Sequence, residues 1–206
     1  MFVITADQKD SRSAPDQVPA VLQLLNRHPL VRPFERTAGD EVQGLLDDPA
    51  AVVAVVVALV RAGWWVGVGA GTVEHPVPPS ARAGRGEAYV AARRAVEAAK
   101  SAAGGVAVSG GEDTEGAAYA ERAEAAAWLL AALLSRRTRA GWEVVDLMAA
   151  GANGVEAAAK LGITPQAVSS RLRVAGWAEE QRGRALLTWL VGRAGGVQEP
   201  RRPREV

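Results

Sequence analysis

Cysteine is absent from this chain of 206 residues. The absence excludes a disulfide, a thiolate nucleophile, a zinc ribbon and a cysteine-bound iron–sulfur cluster. Aromatic residues are scarce at 5%, but 49% of the residues are hydrophobic, which is enough for a core in one large domain or two small ones. The two histidines, His28 and His75, both neighbour proline and lack the Asp and Ser pattern of a hydrolytic triad.

A long hydrophobic run is also missing. The most apolar stretch covers residues 50–60, far fewer than the roughly 20 residues that a membrane-spanning helix needs. Near the start, Asp7, Lys9 and Asp10 follow a short apolar run, whereas a signal peptide places its positive charge before its apolar core. We therefore expect a cytoplasmic protein without a membrane partner.

Charge is distributed unevenly along the chain. Residues 1–135 hold 12 Lys and Arg against 16 Asp and Glu, a net charge of −4, and residues 136–206 hold 12 against 7, a net charge of +5. This asymmetry suggests two separate tasks. The basic part is the better candidate for binding a polyanion such as DNA.

The first half of the chain alternates strand and helix patterns. Periodicity and turn residues predict strands at 2–5, 30–37, 42–46, 64–73 and 106–108, and helices at 18–25, from Pro49 onward and at 87–99. This order predicts an α+β, ferredoxin-like sheet with helices on one face. Asp48 is the predicted N-cap of the helix that starts at Pro49. Gly67 and Gly69 lack the spacing of a dinucleotide-binding loop, so we interpret them as sites of close backbone packing.

The second half is predicted to be helical. Residues 109–116 are glycine, acidic and hydroxyl residues without an apolar anchor, a composition typical of a linker. We expect this linker to separate a first domain, residues 1–108, from an all-α domain, residues 117–197. Residues 198–206 are rich in Arg and Pro and predict a disordered tail.

A helix-turn-helix pattern lies within the expected all-α domain. Ala158 is small where two helices must approach closely, and Gly162 permits the positive φ of a tight turn. Thr164 and Pro165 are a predicted N-cap and first helical residue, and Val168 packs the second helix on the first. The segment resembles the helix-turn-helix of sigma-factor region 4 and of LuxR-type regulators, which implies that its second helix reads DNA.

The resemblance implies a set of residues that contact double-stranded DNA. These residues are Thr164, Gln166, Ser169, Ser170, Arg171 and Arg173. An alternative stays open, because alanine-rich sequence inflates matches of this kind. In that alternative the helices form a bundle that makes only core or dimer contacts.

Two carboxylate groups are predicted to meet in the first domain. Asp7 ends the first strand, and Asp40 with Glu41 lies at the tip of the predicted hairpin. Strand one lies beside the hairpin in a ferredoxin-like sheet, so these carboxylates come together and repel, and a divalent cation relieves the repulsion. The alternative is that each carboxylate caps local N–H groups in a turn.

Residues 1–100 resemble the SatD family and, more distantly, class III nucleotide cyclase and GGDEF domains. The matching segments are residues 4–7, 10–12, 38–43, 66–71, 86–89 and 92–93. The resemblance implies that Asp7, Asp40 and Glu41 hold Mg²⁺ together with a nucleotide. It further implies nucleotide contacts from Arg36, Gly39, Arg93 and Arg94, although a solvated helix face is the alternative for the last two.

One departure from the cyclase pattern bears on catalysis. Val90 stands where cyclases carry an Asn that acts at the transition state. Valine donates no hydrogen bond, and losing such a donor costs about a hundredfold or more in rate. We therefore expect nucleotide binding without efficient cyclisation.

Three hypotheses follow from the sequence. The first is a DNA-binding transcription regulator, expected as a homodimer, whose cyclase-like domain binds a nucleotide or a metal–nucleotide. The second is an active nucleotidyl cyclase-like enzyme that uses two metal ions. The third is an adaptor that binds a protein partner and meets neither nucleotide nor DNA.

Overall fold

The computed structural model describes residues 1–110 and 114–197. Over these residues the protein has a mixed α+β structure, as predicted. The strands are β1 (Phe2–Gln8), β2 (Arg32–Arg36), β3 (Glu41–Leu46), β4 (Trp64–Ala70) and β5 (Val106–Ser109). The helices are α1 (Val18–Leu25), α2 (Pro49–Ala62), α3 (Glu87–Ala99), α4 (Thr114–Ser135), α5 (Arg139–Ala149), α6 (Gly154–Leu161), α7 (Pro165–Val174) and α8 (Trp177–Ala194).

The five strands form one sheet in the order β2-β3-β1-β4-β5. Strand β1 is antiparallel to both of its neighbours, and β2 is antiparallel to β3. Strand β5 is parallel to β4, so the chain crosses over the sheet through α3 to reach it. The register places Asp7 of β1 opposite Glu41 of β3 and Trp65 of β4, at one end of the sheet.

Helices cover both faces of the sheet, so the prediction of helices on one face was wrong. Side chains along β1 alternate between the faces. Phe2 and Ile4 lie in the main hydrophobic core with residues of α1, α2, α4 and α8, whereas Val3 packs in a separate cluster with Ala88 of α3. The parallel pairing of β4 with β5 requires a crossover, and α3 supplies it on the second face.

Helix α3 approaches the sheet closely at Gly67 and Gly69 of β4, which confirms the interpretation of these glycines. A Cβ atom on Gly67 would lie 2.7 Å from the carbonyl oxygen of Ala92, and one on Gly69 would lie 2.8 Å from the Cα atom of Ala92. The helix contributes small residues to the same contact. Its buried alanines are Ala88, Ala91, Ala92, Ala95 and Ala99.

Helix α2 begins and ends as its sequence predicts. The Asp48 carboxylate accepts hydrogen bonds from the N–H groups of Ala50 and Ala51 at 3.0 and 3.1 Å, and Gly63 ends the helix with φ +78°. The helix is buried on most sides because it contacts β4 as well as α8. Within the described residues, none of the helices combines the length and apolar character that crossing a membrane requires.

The main hydrophobic core extends across the expected domain boundary. Ser109 ends β5 and Thr114 begins α4, so both lie inside the expected linker at 109–116. Ala127 of α4 and Leu187 of α8 are buried in the same core as Phe2 of β1, which means that α4 and α8 cover the sheet. Residues 111–113 of the expected linker and the expected tail, residues 198–206, lie outside the described residues.

Helices α5, α6 and α7 have a small hydrophobic cluster of their own. Its buried members are Val144 of α5, Ala157 and Ala158 of α6, and Val168 of α7. The expected all-α domain therefore consists of two parts. Helices α4 and α8 belong to the main core, and the three short helices between them form a separate unit of packing.

The close approach of α3 generates a test of this packing. We expect Gly67→Ala to lower the free energy of unfolding by about 3 kcal/mol, because the added methyl group meets helix backbone, which cannot rotate away. The measurement is urea unfolding followed by circular dichroism.

Gly154→Ala is the matched control for this test. A Cβ atom at Gly154 has no heavy atom of the described residues, beyond its own chain neighbours, within 4 Å, so we expect a change within about 0.5 kcal/mol. Equal stability of the two variants would contradict the described contact between α3 and β4.

Candidate functional sites

The turn between α6 and α7 has the geometry that its sequence predicts. Gly162 ends α6 with φ +64°. The Thr164 hydroxyl accepts a hydrogen bond from the N–H group of Ala167 at 3.2 Å, and Pro165 is the first residue of α7. Val168 is buried against Ala158 in the small cluster. The turn therefore sets the direction in which α7 leaves α6.

Four of the six residues predicted to contact DNA share one exposed face of α7. Gln166, Ser169, Ser170 and Arg173 are exposed and, with Pro165, line a shallow depression of about 350 Å³. We call these four residues the α7 face. They lie opposite the buried Val168, as the helical period requires.

The two other predicted residues have different positions. The hydroxyl of Thr164 is used as the N-cap of α7. Arg171 is partly buried and lies outside the depression. Both residues therefore flank the α7 face rather than form it.

A buried arginine holds the end of α7 in place. Arg137, between α4 and α5, donates two hydrogen bonds to the carbonyl oxygen of Ala175, from Nε at 3.0 Å and from Nη2 at 2.8 Å. Its Nη2 also forms an ion pair of 2.7 Å with Glu180 of α8. Sequence analysis missed both charged residues, because an arginine next to a loop usually indicates an exposed position.

Asp7 and Asp40 line one cavity, as predicted. The cavity has a volume of about 460 Å³ and lies at the end of β1. Its lining also includes Asp10, Arg12 and Lys100, so both carboxylates and cationic groups line it. We call it the β1 cavity.

Lys100 lines this cavity and was not predicted from the sequence. Its ammonium group lies 2.7 Å from the Asp7 carboxylate and 3.0 Å from that of Glu97. The hydrogen bond to Asp7, followed by that to Glu97, raises the pKa of Lys100 above its ordinary value. The repulsion expected between Asp7 and Asp40 is thus relieved in part by an amino group.

Gln8 shapes the loop that closes the same cavity. Its side-chain amide donates to the carbonyl oxygen of Pro15 at 2.7 Å and accepts from the N–H group of Gln17 at 2.8 Å. The N–H group of Gln8 also bonds the carbonyl oxygen of Asp40 at 3.3 Å. One buried glutamine therefore connects the loop after β1 with the β2–β3 hairpin.

Glu41, expected as a metal ligand with the two aspartates, is engaged elsewhere. One carboxylate oxygen forms an ion pair of 2.6 Å with Arg93 of α3, and the other accepts from the hydroxyl of Thr37. The described residues that line the β1 cavity do not include Glu41. In this arrangement Glu41 and Arg93 attach α3 to the hairpin.

The other residues expected to contact a nucleotide are also dispersed. Arg36 forms an ion pair with Asp16. Gly39 has φ +58° in the hairpin turn. Arg94 donates to the hydroxyl of Ser109 at 2.8 and 3.1 Å. None of the three lies among the described residues of the β1 cavity.

The donor set of the β1 cavity bears on the expected Mg²⁺. Within residues 1–110 and 114–197, no three His, Cys, Asp or Glu side chains are grouped as metal ligands. Two carboxylates fit Mg²⁺ when a bound phosphate supplies further oxygens, since this ion is commonly held by one or two carboxylates plus substrate phosphates. Asp7 would then bind the ion alongside its contact with Lys100.

Two sites therefore bring predicted residues together, the α7 face and the β1 cavity. Each carries cationic groups suited to phosphate, with Arg173 on the first and Arg12 and Lys100 in the second. The chain matches no protein-family model, no curated protein and no solved structure. Its function is therefore inferred from these two sets of residues.

The Asp7–Lys100 pair generates a test by titration. Because the folded state raises the pKa of Lys100, the pair adds stability below the ordinary lysine pKa and loses it as the pH rises through the raised value. We expect Asp7→Asn to shift the pKa of Lys100 down toward its ordinary value. The chain has only three lysines, so NMR of their ε-methylene groups resolves the titration.

Glu97→Gln is the matched control, because it removes the second, more exposed carboxylate. We expect a smaller downward shift from it. A pKa of Lys100 that Asp7→Asn leaves unchanged would contradict the described ion pair.

Proposed function

We propose that this protein is a transcription regulator that binds double-stranded DNA through the α7 face. The observation that carries the proposal is the exposed set of Gln166, Ser169, Ser170 and Arg173 on one side of a short helix. Amide and hydroxyl groups read base edges in the major groove, and arginine binds guanine or phosphate.

The packing around α7 supports a helix-turn-helix. Helices α6 and α7 are joined by a tight turn at Gly162, and α5 packs against both. In helix-turn-helix proteins the second helix of the pair enters the major groove of DNA, while the first helix crosses the DNA backbone.

Basic residues near α7 supply the nonspecific part of the binding energy. Lys160 of α6 and Arg182 of α8 are exposed, and residues 136–206 carry a net charge of +5. We assign Arg171, at the side of the helix, to the phosphate backbone. Such contacts position the protein, and base contacts from the α7 face select the sequence.

A nucleotide, alone or with Mg²⁺, is the second ligand that we propose. The strand order and the antiparallel pairing of β1 to β4 support a ferredoxin-like sheet. Nucleotide cyclase-like domains have a sheet of this kind. The β1 cavity offers Lys100 and Arg12 to phosphates and Asp7 and Asp40 to a metal ion. We infer binding without turnover, since the exposed Val90 of α3 cannot donate a hydrogen bond.

A homodimer is the assembly that we propose. Leu129 of α4 is 76% exposed, and Leu186 and Trp189 of α8 are 52% and 43% exposed. Helices α4 and α8 pack antiparallel, since Glu115 pairs with Arg193 and a Cβ atom added at Gly183 would lie 3.6 Å from Leu130. We propose that these residues form one apolar patch across the two helices, since a contiguous patch is typical of a subunit interface.

The DNA proposal is tested by fluorescence anisotropy with the DNA upstream of the protein's own gene and a scrambled duplex. We expect the wild-type protein to prefer the upstream DNA and to lose affinity as salt rises, because phosphate contacts release counterions. Arg173→Ala should weaken binding about tenfold.

Arg82→Ala is the matched control, because it removes another exposed arginine, located between β4 and α3. We expect it to leave the affinity unchanged. Equal affinity of the two variants, or binding insensitive to salt, would overturn the assignment to the α7 face and favour an adaptor for a protein partner.

The dimer proposal is tested by sedimentation velocity at micromolar protein concentrations. We expect Leu129→Glu to produce monomers with an unchanged melting temperature, because the buried charge disfavours association and the residue is exposed within the subunit. Val90→Glu, at another exposed valine that is 69% accessible, should remain a dimer. A wild-type protein that sediments as a monomer contradicts the proposal.

A further inference from the structure

A cavity lies at the junction between the helices of the main core and the unit of α5, α6 and α7. Its volume is about 670 Å³, and its walls come from α1, α2 and α8 of the main core and from α5 of the three-helix unit. Neither the α7 face nor the β1 cavity contributes a residue to it. We call it the junction cavity.

The lining of the junction cavity is mostly apolar. Ala54, Val57 and Ala58 of α2 form one wall, and Trp142 and Trp177 belong to the opposite wall. Ligand pockets typically have about 300–1,000 Å³ and an apolar lining with a few placed polar groups. The size and lining therefore fit one small molecule with an apolar body.

The charged groups of the junction cavity are paired, but not evenly. Arg61 binds the Asp146 carboxylate through two contacts of 2.6 and 2.8 Å. The carboxylate of Glu180 is shared by Arg184 at 2.6 Å and by Arg137, behind the wall, at 2.7 Å. Two guanidinium groups and two carboxylates therefore balance in the lining. The fully buried Arg137 behind the wall adds a positive charge that no further carboxylate of this set offsets.

A histidine adds no charge to this balance. Burial lowers the pKa of His28 below its ordinary value, so its imidazole is uncharged at neutral pH. Gln181, the remaining polar residue of the lining, is also neutral. The excess positive charge therefore belongs to Arg137. Arg184 is the partly exposed guanidinium group of the lining, and it shares the Glu180 carboxylate with Arg137.

We propose that the junction cavity binds a small amphipathic anion, a molecule with an apolar body and one carboxylate or sulfonate group. The apolar body packs against the alanines of α2, and the anionic group lies beside Arg184. A bound molecule contacts helices of both groups, because α2 packs on the sheet and α5 packs on α6 and α7. The proposal does not depend on DNA binding.

A pair of fluorescent probes separates the apolar part of this proposal from the charged part. The anionic probe is 8-anilinonaphthalene-1-sulfonate, and N-phenyl-1-naphthylamine has the same rings without the charge. We expect both probes to bind the full chain with a stoichiometry of one. Energy transfer from Trp142 and Trp177 places the bound probe in the cavity, since it decreases in Trp142→Phe.

Filling the cavity tests its location. Ala58 is partly buried in the wall, and we expect Ala58→Trp to weaken both probes about tenfold or more. Ala98→Trp is the matched control, because Ala98 is exposed on α3 across the sheet. Unchanged binding in Ala58→Trp, with the native melting temperature, overturns the proposal.

Removing the guanidinium group of Arg184 from the lining tests the choice of an anion, and this test does not depend on the folding of the filled variant. We expect Arg184→Gln to weaken the sulfonate probe about fivefold and to leave the neutral probe unchanged, with Arg82→Gln affecting neither. Equal effects on both probes overturn the proposal. Probe binding that weakens as protein concentration rises also overturns it, because a second copy of the chain then covers the cavity.

Discussion

The position of the helices around α7 depends on one buried ion pair. Arg137 and Glu180 lie 2.7 Å apart with side-chain exposures of 0% and 1%. Losing Glu180 would leave the buried guanidinium group of Arg137 without its carboxylate partner, a cost of about 3–5 kcal/mol. The same guanidinium group binds the carbonyl oxygen of Ala175, so the end of α7, the start of α8 and the loop after α4 stay together.

The ion pair also organises the junction cavity. Arg137 and Arg61 both stack on the ring of Trp142, with 4.3 and 4.0 Å between the guanidinium carbon and the ring centre. Arg61 lies on α2, which belongs to the main core, and its partner Asp146 lies on α5. A chain of cation–π contacts and ion pairs therefore connects the helices on the sheet to those that present the α7 face.

Local sequence patterns predicted much of the fold and part of each site. The N-cap at Asp48, the turn at Gly162 and the close approach at Gly67 follow from the chemistry of a few adjacent residues. Asp7 and Asp40 were placed together because the strand order was readable from the pattern. The partners of the acidic residues were not predicted, since Lys100 and Arg93 reach Asp7 and Glu41 only after α3 has crossed the sheet.

The sequence by itself determined the periods, caps and turns, because these depend on interactions between residues a few positions apart. Only the tertiary structure decided that α3 lies on the second face of the sheet and that α4 and α8 join the main core. An apolar stripe on a helix predicts that one side of the helix is buried. It does not predict the surface against which that side packs, because many apolar surfaces would cover it equally well. The tertiary structure also decided the buried pair of Arg137 and Glu180, because residues 43 positions apart meet only in the folded chain.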